Sequence, residues 1–112
     1  MSASISTHVL DLMSGKPASG VTVVLARLDD DGWTVAGTAK TNRDGRVKAV
    51  NAQGLKAGIY ELSFETGAYF KKRKTRAFHP WVTVTVHIVD GNTHYHVPLL
   101  LSPFGYSTYR GS

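Results

Sequence analysis

The chain of 112 residues contains no cysteine, so it can form neither a disulfide bond nor a thiolate metal site. It has no apolar run near the roughly 20 residues that a membrane-spanning helix needs. Its first residues lack the basic and apolar regions of a secretory signal. These absences favour a cytoplasmic protein in a reducing compartment, with no membrane partner.

Common catalytic motifs are missing as well. The sequence has no glycine-rich phosphate loop, no Gly-x-Ser-x-Gly elbow and no His-Glu-x-x-His pair. Charged residues make up only 19% of the chain, and the acidic ones fall mainly in turns such as 29–31. The motifs therefore do not indicate a P-loop enzyme, a serine hydrolase of the elbow type or a zinc protease.

The charge that is present is mostly basic. The formal net charge is +5 and the pI is about 9.7, which favours anionic partners such as nucleic acid or an anionic small molecule. The densest basic cluster, KKRKTR at 71–76, contains no aromatic residue on which a nucleobase would stack. We interpret it as a solvated segment and expect no nucleic-acid partner.

Short runs of alternating polarity, separated by Gly, Pro, Asn and Asp, predict strands along most of the chain. The predicted strands are 5–11, 21–28, 33–41, 46–50, 58–65, 79–89, 93–101 and 104–109. One short helix is predicted at 65–74, with Tyr69 and Phe70 facing a sheet. Together they predict an all-β fold, an antiparallel β-sandwich of seven to eight strands with one short helix, in a single domain spanning 1–112.

The sequence DGN at 90–92 lies between two alternating runs and predicts a β-hairpin. In that hairpin the apolar residues of both strands share the core face, because side chains alternate with period two. His87, His94 and His96 would then share the opposite, polar face. This face allows three interpretations that the residues alone leave open: a metal site, a general acid or base, or surface histidines without chemistry.

Five segments carry a resemblance to the transthyretin family, and more closely to its hydrolase branch. They are STHVLDLMSGKPASGVTV at 6–23, TNRDGR at 41–46, GIYELSFETGAYF at 58–70, FHPWVTVTV at 78–86 and HYHVPLLLSPFGYSTYRGS at 94–112. The closing YRGS is specific for the hydrolase branch. The thyroid-hormone carriers of the family lack this tail and differ at the positions of His8, Arg46 and His96.

The resemblance implies hydrolysis of 5-hydroxyisourate to 2-oxo-4-hydroxy-4-carboxy-5-ureidoimidazoline in urate degradation. It implies a catalytic set of His8, Arg46 and His96, with no metal or organic cofactor. The implied substrate-binding residues are His8, Arg46, His96, Tyr109, Arg110, Gly111 and Ser112. The alternative function is that of a carrier of small aromatic ligands.

The resemblance also implies a homotetramer, a dimer of dimers whose active sites lie in a central channel. A polar histidine face would then line a cleft between subunits. The tail would form a last strand, fastened to the sheet by burial of Tyr106 and Tyr109, with its end at the cleft.

Overall fold

Two β-sheets pack face to face in the computed structural model, which describes residues 3–112. Within these residues there are nine strands, two of them only two residues long, and one helix, which confirms the predicted sandwich. The elements are β1 (Ile5–Asp11), β2 (Lys16–Pro17), β3 (Thr22–Asp29), β4 (Gly32–Lys40), β5 (Arg46–Val47), β6 (Gly58–Phe64), α1 (Thr66–Lys72), β7 (Val82–Ile88), β8 (Tyr95–Ser102) and β9 (Gly105–Thr108).

The core lies between a five-stranded and a four-stranded sheet. The first has the order β2-β1-β8-β9, with β5 also paired to β1, and the second has the order β4-β3-β6-β7. Every second side chain of the central strands points inward, and complete burial of each large one contributes about 1.5–3 kcal/mol. Fully buried core residues include Ile5, Val9, Val23, Leu25, Leu62, Phe64, Ile88 and Leu99.

Helix α1 is too short to be stable alone, and its packing holds it in place. Tyr69 and Phe70 are buried as predicted, while the lysines that follow are exposed. The Tyr69 hydroxyl donates a hydrogen bond of 2.8 Å to the buried carboxylate of Asp11. The Arg73 guanidinium lies 3.7 Å from the centre of the Tyr69 ring. No helix in the described part of the chain has the length and apolar character needed to cross a membrane.

The predicted hairpin between the seventh and eighth strands is wrong. A turn forms, since the Thr93 amide donates to the Asp90 carbonyl at 3.2 Å, but the two strands then enter different sheets. β7 pairs with β6, whereas β8 pairs with β1 and β9. Alternation gave the inward face of each strand correctly, but it does not specify the partner strand. The two apolar faces therefore meet across the core instead of lying side by side.

This arrangement separates the histidines that the hairpin would have grouped. His94 directly precedes β8, and His96 is the second residue of that strand, in the five-stranded sheet. His87 is exposed on β7, in the four-stranded sheet, so the prediction that it shares their face is wrong.

The central contact of the five-stranded sheet is a parallel pairing of β1 with β8. Its register runs from Ile5 beside Tyr95 to Asp11 beside Leu101 and places Ser6 beside His96. It is the one parallel pair among the described strands, which are otherwise antiparallel. The even-numbered residues of both strands point away from the core, so Ser6, His8 and His96 share the outer face.

A tight turn at 42–45 positions β5 against β1. The Asn42 side chain accepts hydrogen bonds from the amides of Asp44 at 2.9 Å and Arg46 at 3.0 Å. Gly45 has a φ of 73°, a left-handed conformation that favours glycine, and its carbonyl accepts a hydrogen bond from the Val9 amide at 2.8 Å. The turn thereby sets Arg46 directly opposite His8.

We predict that Gly45→Ala destabilises the protein more than Gly15→Ala. Both glycines have positive φ, so each substitution costs about 1–2 kcal/mol in backbone strain. A Cβ at Gly45 would also lie 2.5 Å from the Val9 carbonyl oxygen, whereas a Cβ at Gly15 meets no atom within 4 Å. Urea unfolding of both variants measures the difference, and equal losses of stability would contradict this account of the turn.

Candidate active site

The outer face of the five-stranded sheet brings His8, Arg46 and His96 together. Arg46 on β5 pairs directly with His8 on β1, and Cβ atoms of such cross-strand pairs lie about 4.5–5.5 Å apart. His96 lies on β8 beside Ser6, two residues before His8 on the same face. An open cleft of about 660 Å³ extends from Arg46 and His96, and His8 is not among its lining residues. Its lining residues are Ser6, Thr7, Arg46, Val47, Lys48, His94, His96 and Ser112.

The end of the chain lies at this cleft. The Gly111 amide donates a hydrogen bond of 2.8 Å to the His96 carbonyl, which forms an isolated bridge beyond the end of β9. A Cβ at Gly111 would lie 2.5 Å from Cδ2 of His96, so the ring of His96 packs against bare backbone. Ser112 follows and lines the cleft, as the sequence predicts for the end of the tail.

Tyr109 and Arg110 take a different course from the two residues that follow them. Both line an apolar groove beside β7, away from the histidine cleft. The Arg110 guanidinium lies 4.6 Å from the ring centre of Tyr95, a cation–π contact on the inward side of β8. Their role in substrate binding stays a prediction, and within one chain their side chains do not line the cleft.

The tail is fastened by its backbone. Tyr106 is 42% exposed and Tyr109 is 58% exposed, so the prediction that burial of these rings holds the last strand is wrong. β9 is held instead by its antiparallel ladder with β8. The Thr108 hydroxyl adds a hydrogen bond of 2.7 Å to the Pro98 carbonyl. Aromatic rings indicated an ordered tail, but not the interaction that orders it.

The surroundings of His8 and His96 favour the neutral form of both imidazoles. The pKa of His8 is lowered, first by burial and then by repulsion from Arg46, although Asp44 opposes the shift. The pKa of His96 is lowered by burial, then by Arg46, and further by His8 and His94. Each cause disfavours imidazolium, the first by removing its hydration and the others by placing positive charge nearby. The neutral form of both imidazoles is therefore favoured beside a permanent cation.

Five lining residues of the cleft were not predicted as site residues: Ser6, Thr7, Val47, Lys48 and His94. The Ser6 hydroxyl lies 2.7 Å from Nδ1 of His96 and 3.0 Å from Nε2 of His94. Period-two alternation along β1 could have placed Ser6 beside His8, but its proximity to His96 depends on the parallel pairing. That pairing has no local signal in the sequence.

The remaining histidines lie elsewhere. His79 forms edge-to-face contacts with the rings of Phe78 and Tyr106, with centroids 4.9 and 5.1 Å away. This packing agrees with a structural role. Across residues 3–112, no group of three or more His, Cys, Asp or Glu side chains is arranged to hold a metal ion.

The arrangement suits the addition of water to a polarised carbonyl. A neutral imidazole can accept a proton from water near neutral pH. The fixed guanidinium offers planar donors to an oxygen that becomes negative. Fold alone does not distinguish such an enzyme from a carrier, because one fold hosts many functions.

Comparisons with known proteins give the family. The profile described as "HIUase/Transthyretin family" matches residues 5–111. A 5-hydroxyisourate hydrolase of Salmonella typhimurium is 51% identical over 109 residues, covering 96% of this chain and 80% of the relative. The structure of Klebsiella pneumoniae 5-hydroxyisourate hydrolase is 38% identical, with a TM-score of 0.88 and coverage of 98% of this chain and 99% of that one.

A carrier has the same fold. The crystal structure of sea bream transthyretin in complex with thyroxine is 32% identical, with a TM-score of 0.89, and covers 96% of this chain and 93% of that one. The TM-scores to the hydrolase and to the carrier are therefore nearly the same, whereas the sequence identity to the hydrolases is higher. On the family profile and on full-length identity above 50%, the chain belongs to the HIUase/Transthyretin family.

Proposed function

We propose that the chain hydrolyses 5-hydroxyisourate to 2-oxo-4-hydroxy-4-carboxy-5-ureidoimidazoline in urate degradation. The observation that carries the proposal is the convergence of His8, Arg46 and His96 on the outer face of one sheet, where Arg46 and His96 line the cleft. The relatives named as 5-hydroxyisourate hydrolases support it, because their similarity extends over nearly the whole chain. No metal or organic cofactor takes part in the proposed reaction, and a cytoplasmic location stays a prediction.

The proposed reaction opens the six-membered ring of the substrate at an amide-like bond. One imidazole takes a proton from water, and the water oxygen bonds to the ring carbonyl carbon. The carbon–nitrogen bond then breaks, and the proton is delivered to the departing nitrogen. His8 and His96 share the tasks of base and positioning group. Both have a lowered pKa, which favours the unprotonated form that a general base needs near neutral pH.

Arg46 has two tasks in this proposal. Its guanidinium holds the ring carbonyls of an anionic substrate and stabilises the oxyanion that forms as water adds. Its charge also disfavours protonation of His8 and His96. The same cation therefore strengthens the base and binds the group that the base attacks.

We propose a homotetramer, a dimer of dimers, as the active assembly. β7 and β9 are edge strands of their sheets, and such edges can join the sheets of two subunits. Large apolar side chains are exposed nearby in sequence, among them Val89 at 71% and Phe104 at 68%. A closed assembly would shield them and turn the histidine face toward a channel between dimers.

The alternative is a carrier of small aromatic ligands. It is kept because the backbone is about as similar to thyroxine-bound transthyretin, with a TM-score of 0.89, as to the hydrolase. The polar cleft opposes it, because two imidazoles and a guanidinium suit a polar anion better than an apolar ring. A carrier would bind iodinated phenols tightly and leave 5-hydroxyisourate unchanged.

We predict that His8→Ala, Arg46→Ala and His96→Ala each lower turnover roughly 100-fold or more while the protein still folds. The fold is retained because all three side chains lie outside the core. Steady-state kinetics on 5-hydroxyisourate, with circular dichroism as the folding check, measure the effect. His87→Ala is the matched control, since this exposed histidine lies on the other sheet. Near-normal turnover in any of the three would remove that residue's assigned role.

We predict that Arg46→Gln raises the pKa of both His8 and His96. Repulsion by Arg46 is the second cause of both lowered pKa values, while burial remains in the variant. In the wild type, activity should persist to pH values below the ordinary pKa of histidine and disappear as the bases become protonated. Histidine NMR titration measures the shift, with Lys48→Gln as a control of equal charge change. Unchanged pKa values in Arg46→Gln would contradict the electrostatic account.

We predict that deletion of residues 109–112 leaves a folded oligomer with much reduced turnover. The deletion removes the Gly111 bridge to His96 and the Ser112 end from the cleft, but keeps all of β9. An extension after Ser112 should also lower turnover by displacing the chain end. Sedimentation checks the tetramer and kinetics check the site. Full turnover in both variants would show that the tail has no part in catalysis.

A further inference from the structure

A continuous row of hydrogen bonds leads from the edge of the sheet to the ring of His96. The Ser4 hydroxyl lies 2.9 Å from Nδ1 of His94. Nε2 of His94 lies 3.0 Å from the Ser6 hydroxyl, which lies 2.7 Å from Nδ1 of His96. Every gap is within hydrogen-bond distance, so each group constrains the proton position of the next.

The direction of this row follows from its outer end. Each hydroxyl and each neutral imidazole can donate or accept, so the row allows two directions. The Ser4 hydroxyl also lies 3.4 Å from the Lys48 carbonyl, an oxygen that can only accept, and this contact favours the direction in which the Ser4 oxygen accepts from Nδ1–H of His94. In that direction the lone pair of His94 is on Nε2, where it accepts from the Ser6 hydroxyl.

The same argument extends to His96. In the same direction Ser6 gives its only proton to His94, so its oxygen accepts from Nδ1–H of His96. In neutral imidazole the other nitrogen, Nε2, then carries the lone pair. The Cδ2 edge of the ring faces Gly111, where an added Cβ would lie 2.5 Å from Cδ2.

We propose that His94 is a positioning residue that acts through the Ser6 hydroxyl to hold His96 in the Nδ1–H tautomer, with the Nε2 lone pair available as general base. The inference rests on the proposed hydrolysis for its catalytic meaning. It assigns the role of base, which the site residues alone left shared, to Nε2 of His96. It also gives functions to His94 and Ser6 that do not require contact with substrate.

The row of hydrogen bonds selects one tautomer of His96. Neutral histidine in water exists as two tautomers, and only the one with an unprotonated nitrogen toward the substrate can accept a proton there. A fixed acceptor on the other nitrogen selects that tautomer, as the buried aspartate does in serine proteases. Here a serine hydroxyl, itself oriented by a second histidine, supplies the acceptor.

Histidine nitrogen NMR above the pKa of His96 tests the tautomer directly and does not depend on turnover. We expect the Nδ1–H pattern for His96 in the wild type. In His94→Phe and Ser6→Ala the pattern should shift toward the Nε2–H form that predominates in free neutral histidine. An Nε2–H wild type, or an unchanged pattern in both variants, would overturn the proposal.

Steady-state kinetics provide a second test of the positioning role. His94→Phe and Ser6→Ala should lower kcat about 10- to 100-fold, the range for residues that orient an active group, and leave KM nearly unchanged. Ser6→Thr and His94→Gln should recover much of the loss, since each keeps a donor and an acceptor at the contact. His87→Phe is the matched control on the other sheet.

The NMR and kinetic experiments together distinguish failure of the positioning role from failure of the proposed hydrolysis. An Nδ1–H tautomer that depends on His94, in a wild type without turnover, would refute the proposed hydrolysis and keep the positioning role. Normal kcat in His94→Phe, with active wild type, would refute the positioning role and keep the hydrolysis. His94 is exposed, so its variants should fold even if Ser6→Ala, within a buried stretch of β1, does not.

Discussion

The parallel ladder between β1 and β8 is the contact on which both the core and the site depend. Its inward residues, such as Val9 and Leu99, are fully buried between the sheets. Its outward residues bring Ser6 beside His96, and β5 adds Arg46 opposite His8. A shift of one residue in this register would expose the apolar face and bury the histidines. The hydrophobic core thereby fixes the geometry of a polar site on the outer face of the same strands.

Two effects, partial burial of the histidines and the positive charge of Arg46, act together on the pKa values of the site. Burial lowers the pKa of His8 and His96, and the nearby guanidinium lowers both further. Arg46 itself is exposed, and its charge acts on His8 over the short distance set by the pairing of β5 with β1. The open cleft leaves the cation available to an anionic substrate.

The sequence predicted the inward faces well and the strand partners poorly. The odd-numbered residues from Tyr95 to Leu101 are buried as predicted, because alternation reports the environment of each side chain. The pairing of β8 was missed, because residues 5–11 and 95–101 are far apart in sequence and no turn joins them. His87 was grouped with His94 and His96 for the same reason.

The site was predicted through resemblance more than through spacing. The residues alone left metal, base and inert surface histidines open, and His8 and Arg46 carried no signal that linked them to His96. The family motifs selected these three, and the structure shows why they meet. The row through Ser6 and His94 was out of reach, because it depends on rotamers and on which residues the parallel register places together.

The most direct test of the central claim follows the ultraviolet absorbance of 5-hydroxyisourate generated in place by urate oxidase. The compound decays slowly by itself in water. The account predicts that this protein accelerates the decay sharply, and that the acceleration disappears at pH values low enough to protonate His8 and His96. Decay at the uncatalysed rate across the whole pH range would contradict it.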